Sequence, residues 1–101
     1  MNKIQNPQDL DNVIEALANK HRREIIHVLS LGSCSISKLA FLRNLSLPAI
    51  HNHIEVLEKG GLVIREKIGQ TNFLALNRES LRGLQDWLMR YHPYQGSDEA
   101  A

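Results

Sequence analysis

The stretch from Ser35 to Gly61 constrains the fold most strongly, because it holds two helical patterns with a short break between them. Arg43-Asn44-Leu45 forms the break, and the second pattern begins at Ser46-Leu47-Pro48. Serine is a favourable helix N-cap, and a proline in the first helical turn gives up no needed hydrogen bond. The paired glycines Gly60-Gly61 then end the second helix. Two helices joined by a three-residue turn predict a helix-turn-helix.

A different pattern follows the second helix. Residues 62–68 and 72–76 are both rich in apolar side chains, and Gly69-Gln70-Thr71 lies between the two runs. Two strand-like runs around a glycine-containing tip predict a β-hairpin. A hairpin directly after a helix-turn-helix is typical of the winged helix. We therefore predict a mainly α fold with about five helices and a two- to three-stranded wing.

Two helices are predicted before this unit. Apolar residues recur at helical spacing after Pro7, and Asn19 is placed to cap a second helix that Gly32 ends. The first turn of that second helix is the basic run Lys20-His21-Arg22-Arg23. Positive charge at a helix N-terminus opposes the macrodipole, so some other contact is expected to favour these residues there.

A last helix is predicted after the hairpin, capped by Asn77 or Ser80 and ended before Pro93. The nine residues beyond it are small, polar and acidic, which is typical of a frayed terminus. We therefore expect one winged helix-turn-helix domain for DNA binding and dimerisation at residues 1–92 and a flexible tail at 93–101.

Composition excludes several classes of protein. The 101 residues carry a net charge of only +1, so affinity for nucleic acid would have to come from the placement of charges. One cysteine, Cys34, cannot form an internal disulfide, and the sequence has neither a secretory signal nor an apolar run of about 20 residues that would span a membrane. These features favour a cytoplasmic protein. The sequence also has no glycine-rich phosphate loop and no nucleophile elbow, so we do not expect an enzyme.

Three motifs carry a family resemblance: residues 16–26 (ALANKHRREII), 36–40 (ISKLA) and 51–63 (HNHIEVLEKGGLV). Together they resemble the ArsR (arsenic-repressor) type of bacterial and archaeal transcriptional regulator, and the resemblance runs from about residue 10 to residue 91. It implies a homodimer, built mainly from the first and last helices, that represses promoters by covering a palindromic operator in double-stranded DNA.

The dimer is also expected from the apolar faces of those two helices, which a domain this small is unable to bury completely. The residues on these faces are Leu10, Val13, Ile14, Leu17, Leu81, Leu84, Trp87, Leu88 and Tyr91. If both helices only completed the core of one subunit, the protein would instead be a monomer.

In a helix-turn-helix, the second helix lies in the major groove with its N-terminal residues toward the bases. Here the residues presented would be Ser46, Leu47, Ala49, His51, Asn52 and His53. The amide of Asn52 suits adenine, His51 and Ser46 offer hydrogen bonds, and Leu47 or Ala49 offers contact with a thymine methyl group. This set is less polar than the usual opening of this helix in the family.

Phosphate contacts are expected from cations around the motif and on the wing. The candidates are Arg22, Arg23, Lys38, Arg43, Arg65 and Lys67, with Gln70 and Thr71 as neutral donors at the wing tip. Glu55 and Glu58 lie further along the recognition helix and would repel phosphate, which confines the favourable surface to the start of that helix. If His51 and His53 face phosphate, the charge that they gain as the pH falls would strengthen DNA binding. The alternative is that both lie on ordinary polar surface.

No metal site or cofactor is expected. The family's Cys-x-Cys pair on the third helix is replaced by Ser35 and Ser37, and its last-helix site, an Asp-x-His pair followed by a later His, is reduced to Asp86 and His92. Serine hydroxyls do not substitute for thiolates. A site between subunits that uses His21, His27 or His92 stays open as an alternative, and the sequence does not identify an effector.

The rival function is a winged helix that recruits another protein without specific DNA binding. It is suggested by the apolar opening Leu47-Pro48-Ala49-Ile50 and by the near-neutral charge. DNA binding at low salt distinguishes the two.

Overall fold

The computed structural model describes residues 7–92 and contains five α-helices and three β-strands in that range. The expected tail at 93–101 and the first six residues lie outside the described part of the chain. The elements, in chain order, are α1 (Pro7–Leu17), α2 (Lys20–Ser30), β1 (Cys34–Ser35), α3 (Ile36–Arg43), α4 (Leu47–Lys59), β2 (Val63–Ile68), β3 (Thr71–Leu76), a short 3₁₀ helix (Arg78–Leu81) and α5 (Arg82–Tyr91). The predicted winged helix-turn-helix is confirmed.

Side-chain caps start α2, α3 and α4, and those at Asn19 and Ser46 are the ones that the sequence predicts. Asn19, Ser35 and Ser46 each have extended backbone, and each side chain accepts a hydrogen bond from the backbone N–H three residues ahead. These bonds satisfy donors that a helix N-terminus otherwise leaves unpaired. The caps therefore set where α2, α3 and α4 begin.

The turn between α3 and α4 is closed by Asn44, which adopts the left-handed conformation with φ 55° and ψ 47°. The backbone N–H of Asn44 donates to the carbonyl of Phe41, and the N–H of Leu45 donates to that of Ala40. This pair of bonds is the Schellman arrangement, in which asparagine is the usual substitute for glycine. The asparagine therefore fixes the angle at which α4 leaves α3.

The sheet is antiparallel with strand order β1-β3-β2. In the hairpin Val63 pairs with Leu76 and Ile68 pairs with Thr71, so Gly69 and Gln70 form a two-residue tip. Gly69 has φ +63°, a conformation that glycine adopts without strain. The residues directly before α3 form strand β1, which pairs with β3 and joins the wing to the helix-turn-helix.

The core lies where α4 packs against the other helices and the base of the wing. Its largest fully buried side chains are Ile25, Leu39, Ile50, Ile54, Leu57, Leu62 and Leu74. No polar or charged residue is buried among residues 9–92. Gly60 allows a close approach between α4 and α1, because a Cβ there would lie 2.9 Å from the carbonyl oxygen of Asn12.

The predicted cap of the last helix is wrong. Neither Asn77 nor Ser80 makes a side-chain capping bond, and a 3₁₀ turn precedes α5. The side-chain amide of Asn77 instead donates to the carbonyl of Gly61 at 2.9 Å, and the Ser80 hydroxyl donates to the carbonyl of Asn77 at 2.7 Å. These bonds tie the start of the last helical segment to the end of α4.

Candidate nucleic-acid interface

One face of α4 is committed to the core, and this decides which side chains remain available. Ile50, Ile54 and Leu57 are fully buried at helical spacing. Asn52 is exposed on the opposite side, Leu47 is 50% exposed at the first position of the helix, and His51 is half-buried. The N-terminal half of α4 therefore presents one amide, one imidazole and one apolar side chain outward.

The remaining residues predicted at this end of α4 differ in accessibility. Ser46 is exposed, but its hydroxyl oxygen already accepts from the N–H of Ala49 at 3.3 Å, and Ala49 is half-buried. The structure places His53 on the inner side of α4, where its Nδ1 lies 3.3 Å from Nη1 of Arg22. His53 is thus directed at α2 and not outward with Asn52.

The surroundings of His53 lower its pKa. Burial is the largest cause, followed by the positive charge of Arg22 and by His21, whose ring centroid lies 5.5 Å from that of His53. A neutral imidazole is the form that accepts a hydrogen bond from a guanidinium. Desolvation and geometry therefore both favour the uncharged form of His53.

The wing tip lies next to the start of α3 and α4. A shallow pocket of about 200 Å³ lies between them and is lined by Ile36, Ser37, Leu47, His51, Gln70, Thr71 and Asn72. The predicted tip donors Gln70 and Thr71 are thereby brought to His51 of α4. Asn72 also belongs to this pocket; it is absent from the residues that the sequence pointed to, since nothing in its local pattern separates it from an ordinary strand residue.

The cations divide into accessible and engaged groups. Lys38 and Lys67 are exposed. Arg65 makes a two-pronged ion pair with Glu58, with distances of 3.0 and 3.1 Å, and the hydrogen bonds that it donates to this carboxylate raise the pKa of Arg65. Arg43 is half-buried, with Nη2 lying 3.4 Å from Nδ1 of His21.

The basic run at the start of α2 has a structural partner. Arg22 donates from Nε to the carbonyl of Ala16 at 2.8 Å and from Nη2 to that of Glu15 at 3.0 Å, and Arg23 donates to the carbonyl of Leu17 at 2.8 Å. These carbonyls form the C-terminus of α1, where the macrodipole favours positive charge. The contact offsets the unfavourable position of the two arginines at the start of α2.

An apolar surface lies on the side formed by α1 and α5. A groove of about 420 Å³ is lined by Ile14, Leu17, Ala18, Leu84 and Trp87. Its surroundings include Leu88 and Tyr91, exposed by 50% and 69%. Single surface apolar residues are ordinary, but a continuous set on adjacent helices marks an interaction surface.

The other residues predicted for this interface lie deeper. Val13 is only 5% exposed and belongs to the core of the single chain, and Leu81 and Leu84 pack against that core. Leu10 is half-buried. Met89, 40% exposed on α5, and Ala18 in the groove were not predicted, because neither falls on the apolar spacing that the sequence analysis used.

The predicted ligand positions show no metal-binding geometry in residues 7–92, where no three His, Cys, Asp or Glu side chains form a group that would hold a metal ion. Cys34 is buried in β1. Nor does this part of the chain contain a helix long and apolar enough to cross a membrane.

A capped helix-turn-helix with a wing beside its second helix defines a winged helix-turn-helix protein. Residues 17–66 match the family described as a helix-turn-helix domain. An ArsR family transcriptional regulator, RHA00566, has a crystal structure that superimposes with a TM-score of 0.80 and 31% identity, covering 87% of this chain and 91% of that one. The chain belongs to the ArsR family of transcriptional regulators.

Two curated relatives carry regulatory names. The transcriptional repressor SdpR of Bacillus subtilis is 26% identical over 82 residues, which cover 81% of this chain and 91% of SdpR. The transcriptional activator HlyU of Vibrio cholerae is 29% identical over 80 residues, which cover 79% of this chain and 74% of HlyU. The similarity therefore extends over most of the chain and well beyond the helix-turn-helix.

Proposed function

We propose that the protein is a sequence-specific DNA-binding transcriptional regulator that acts as a homodimer. The observation that carries the proposal is the exposed start of α4 beside the wing tip, on the scaffold of an ArsR family regulator. In this arrangement α4 enters the major groove and the wing follows the adjacent backbone. Because this activity requires access to chromosomal DNA, the proposal includes a cytoplasmic location.

Base contacts are assigned to Asn52, His51 and Leu47, and phosphate contacts to Lys38 and Lys67 with Gln70 and Thr71. Ser46 and Ala49 shape the helix start, while Arg43, Arg65 and His53 are held by contacts within the subunit. This division follows from exposure, since a side chain reaches a base edge only from the open face of the helix. It makes the base-reading set small, with one amide as its main polar contact.

We place the dimer interface at the apolar groove between α1 and α5. A twofold dimer presents two copies of α4, and two half-sites about one turn of DNA apart, roughly 34 Å, make the operator palindromic. Repression by covering a promoter is the mode that the resemblance to the repressor SdpR supports. Residues 1–92 would then form one unit for both DNA binding and dimerisation.

Selection from random duplex DNA tests this function. We expect recovery of a palindromic sequence whose affinity falls steeply with salt, because phosphate contacts release counterions. Lys38→Ala should reduce affinity for all DNA sequences. Asn52→Ala should instead relax the sequence preference at one position in each half-site. No enrichment at low salt would reject DNA binding and favour the protein-recruitment function.

The Glu58–Arg65 pair makes a separate prediction. Glu58→Gln should release Arg65 from its ion pair and remove a negative charge from the DNA-facing helix. One additional phosphate contact is expected to raise affinity by roughly three- to tenfold at low salt and to steepen the salt slope by about 1. Fluorescence anisotropy over a salt series measures both quantities.

Glu79→Gln is the matched control, because it removes the same charge from an ion pair with Arg82, at 3.3 Å, on the 3₁₀ helix and α5. Its DNA affinity should stay within about twofold of the unsubstituted protein, since neither element of this pair is placed at DNA and exposed pairs contribute little to stability. Equal changes in both variants would show that net charge, and not the release of Arg65, determines the effect.

A further inference from the structure

Four basic side chains meet where α2, α3 and α4 come together. His21 and Arg22 come from α2, Arg43 from α3 and His53 from α4. Each imidazole faces one guanidinium through Nδ1, at 3.3 Å for His53 and Arg22 and at 3.4 Å for His21 and Arg43. Because a guanidinium has donors only, a hydrogen bond at either contact requires the imidazole Nδ1 to be the acceptor.

Arg22 connects three helices through a single side chain. Its Nε and Nη2 donate to the last carbonyls of α1, at Ala16 and Glu15, and its Nη1 donates to His53 of α4. The planar fork of arginine holds these directions rigidly. The helix that forms half of the apolar groove is thereby connected to the helix that faces DNA.

Protonation of His53 would break this connection. The Nδ1 atom would become a donor facing a donor, and a second positive charge would lie beside a guanidinium that stays charged throughout the physiological pH range. The charged and titratable groups around His53 are Arg22 and His21 of α2, with Arg43 of α3 joined through His21; α1 contributes backbone carbonyls.

No negative charge compensates for this within the described residues. Neither Arg22 nor Arg43 forms an ion pair with a carboxylate in residues 7–92. The buried Nε of Arg43 also has no acceptor there. The cluster thus holds more donors than acceptors before any imidazole gains a proton, so an added proton makes the imbalance worse.

We propose that Arg22 and neutral His53 form a proton-sensitive link that fixes α4 relative to α1, so that protonation of His53 weakens binding to the operator. Arg22 is a positioning residue, since it acts through His53 and touches no base. The proposal rests on the proposed function as a DNA-binding dimer. The proposal predicts weaker DNA binding in acid, whereas a histidine that faces phosphate would strengthen DNA binding in acid.

The stability of the native state should follow the same direction. The lowered pKa of His53 means that the unfolded chain binds its proton more readily than the native protein does. The contribution of neutral His53 is complete above the ordinary pKa of about 6.5 and declines as the pH falls from there toward the lowered native value. Acid therefore weakens the link without requiring the whole domain to unfold.

The test measures affinity for a duplex selected from random-sequence DNA at pH 7.5 and pH 5.5 and at constant ionic strength. We expect binding to be at least about three- to tenfold weaker at the lower pH, since each linked proton, one per subunit of the dimer, allows at most a tenfold change per pH unit. His53→Gln keeps an acceptor for Arg22 but does not titrate, so the DNA affinity of this variant should be the same at pH 7.5 and pH 5.5. His51→Gln, the control at the DNA-facing histidine, should keep the loss of affinity in acid.

The wild-type protein provides a second measurement that is independent of any variant. Nitrogen chemical shifts of the His53 imidazole should show Nδ1 as the acceptor, and its titration should coincide with the change in affinity. Stronger binding in acid, an unchanged pH response in His53→Gln, or a titration at a different pH would overturn the link. Absence of DNA binding at every pH and at low salt would instead reject the proposed function.

Discussion

Trp87→Glu is expected to convert the protein to a monomer and to lower its affinity for operator DNA at least 100-fold. Trp87 lines the apolar groove with Leu84 and packs against Tyr91, with ring centroids 5.1 Å apart and ring planes tilted by 59°. By twofold symmetry the substitution places two carboxylates in one interface, where desolvating each charge costs several kcal/mol. Loss of the second half-site then removes about 3 kcal/mol or more of binding free energy, because 1.4 kcal/mol corresponds to a factor of ten.

Sedimentation equilibrium and fluorescence anisotropy measure the two effects separately. Gln85→Glu is the matched control, since it adds the same charge to α5 two residues earlier, on the polar side lined by Arg78 and Asp86. It should remain a dimer with nearly unchanged affinity. If Trp87→Glu stays a dimer, the groove is not the interface; if it is a monomer with full affinity, dimerisation is not needed for DNA binding.

The boundaries of the helix-turn-helix could be predicted from the sequence because they depend on local interactions. The caps at Asn19 and Ser46 act within three residues, and Asn44 closes its turn with bonds to the preceding helix. Capping residues and left-handed positions have clear preferences that a single sequence reveals. The start of α5 was misplaced because the deciding contact is not local: the side-chain amide of Asn77 donates to the carbonyl of Gly61, sixteen residues away.

The engaged arginines illustrate what sequence patterns leave out. Arg22, Arg43 and Arg65 all stand near the motif and have the charge that phosphate contact requires, but each is held by an acceptor that comes from another element. The partner of Arg65 lies across the junction of α4 and β2, and that of Arg22 lies 31 residues away on α4. Such contacts depend on tertiary packing, which charge spacing along the chain does not encode.

Tertiary packing also decides which residues of the predicted interface on α1 are exposed. Helical spacing places Val13 and Ile14 on one broad apolar stripe, yet Val13 is 5% exposed and Ile14 is 42% exposed. A stripe on a small domain is shared between the subunit core and a partner, and the position of α4 and α5 decides where it divides. The sequence therefore predicts the stripe, while the packing selects Ile14 for the outer part.

Ile54→Ala is expected to cause a large loss of stability through the core side of the recognition helix. Ile54 is fully buried on the core side of α4, and truncation there removes three carbon atoms and leaves a cavity. The cost is about 2–5 kcal/mol, against a total of roughly 5–15 kcal/mol for a domain. Urea unfolding at fixed protein concentration measures it, because a dimer's stability depends on concentration.

Glu55→Ala, the neighbouring exposed position on α4, controls for changes in helix propensity and should alter stability by less than about 0.5 kcal/mol. Ile54→Val should fall between the two, at about 0.5–1.5 kcal/mol, because it removes a single methylene group. Since α4 both closes the core and faces DNA, operator binding by Ile54→Ala should decline with the folded fraction. An Ile54→Ala protein as stable as Glu55→Ala would mean that the core does not hold α4 in the position described.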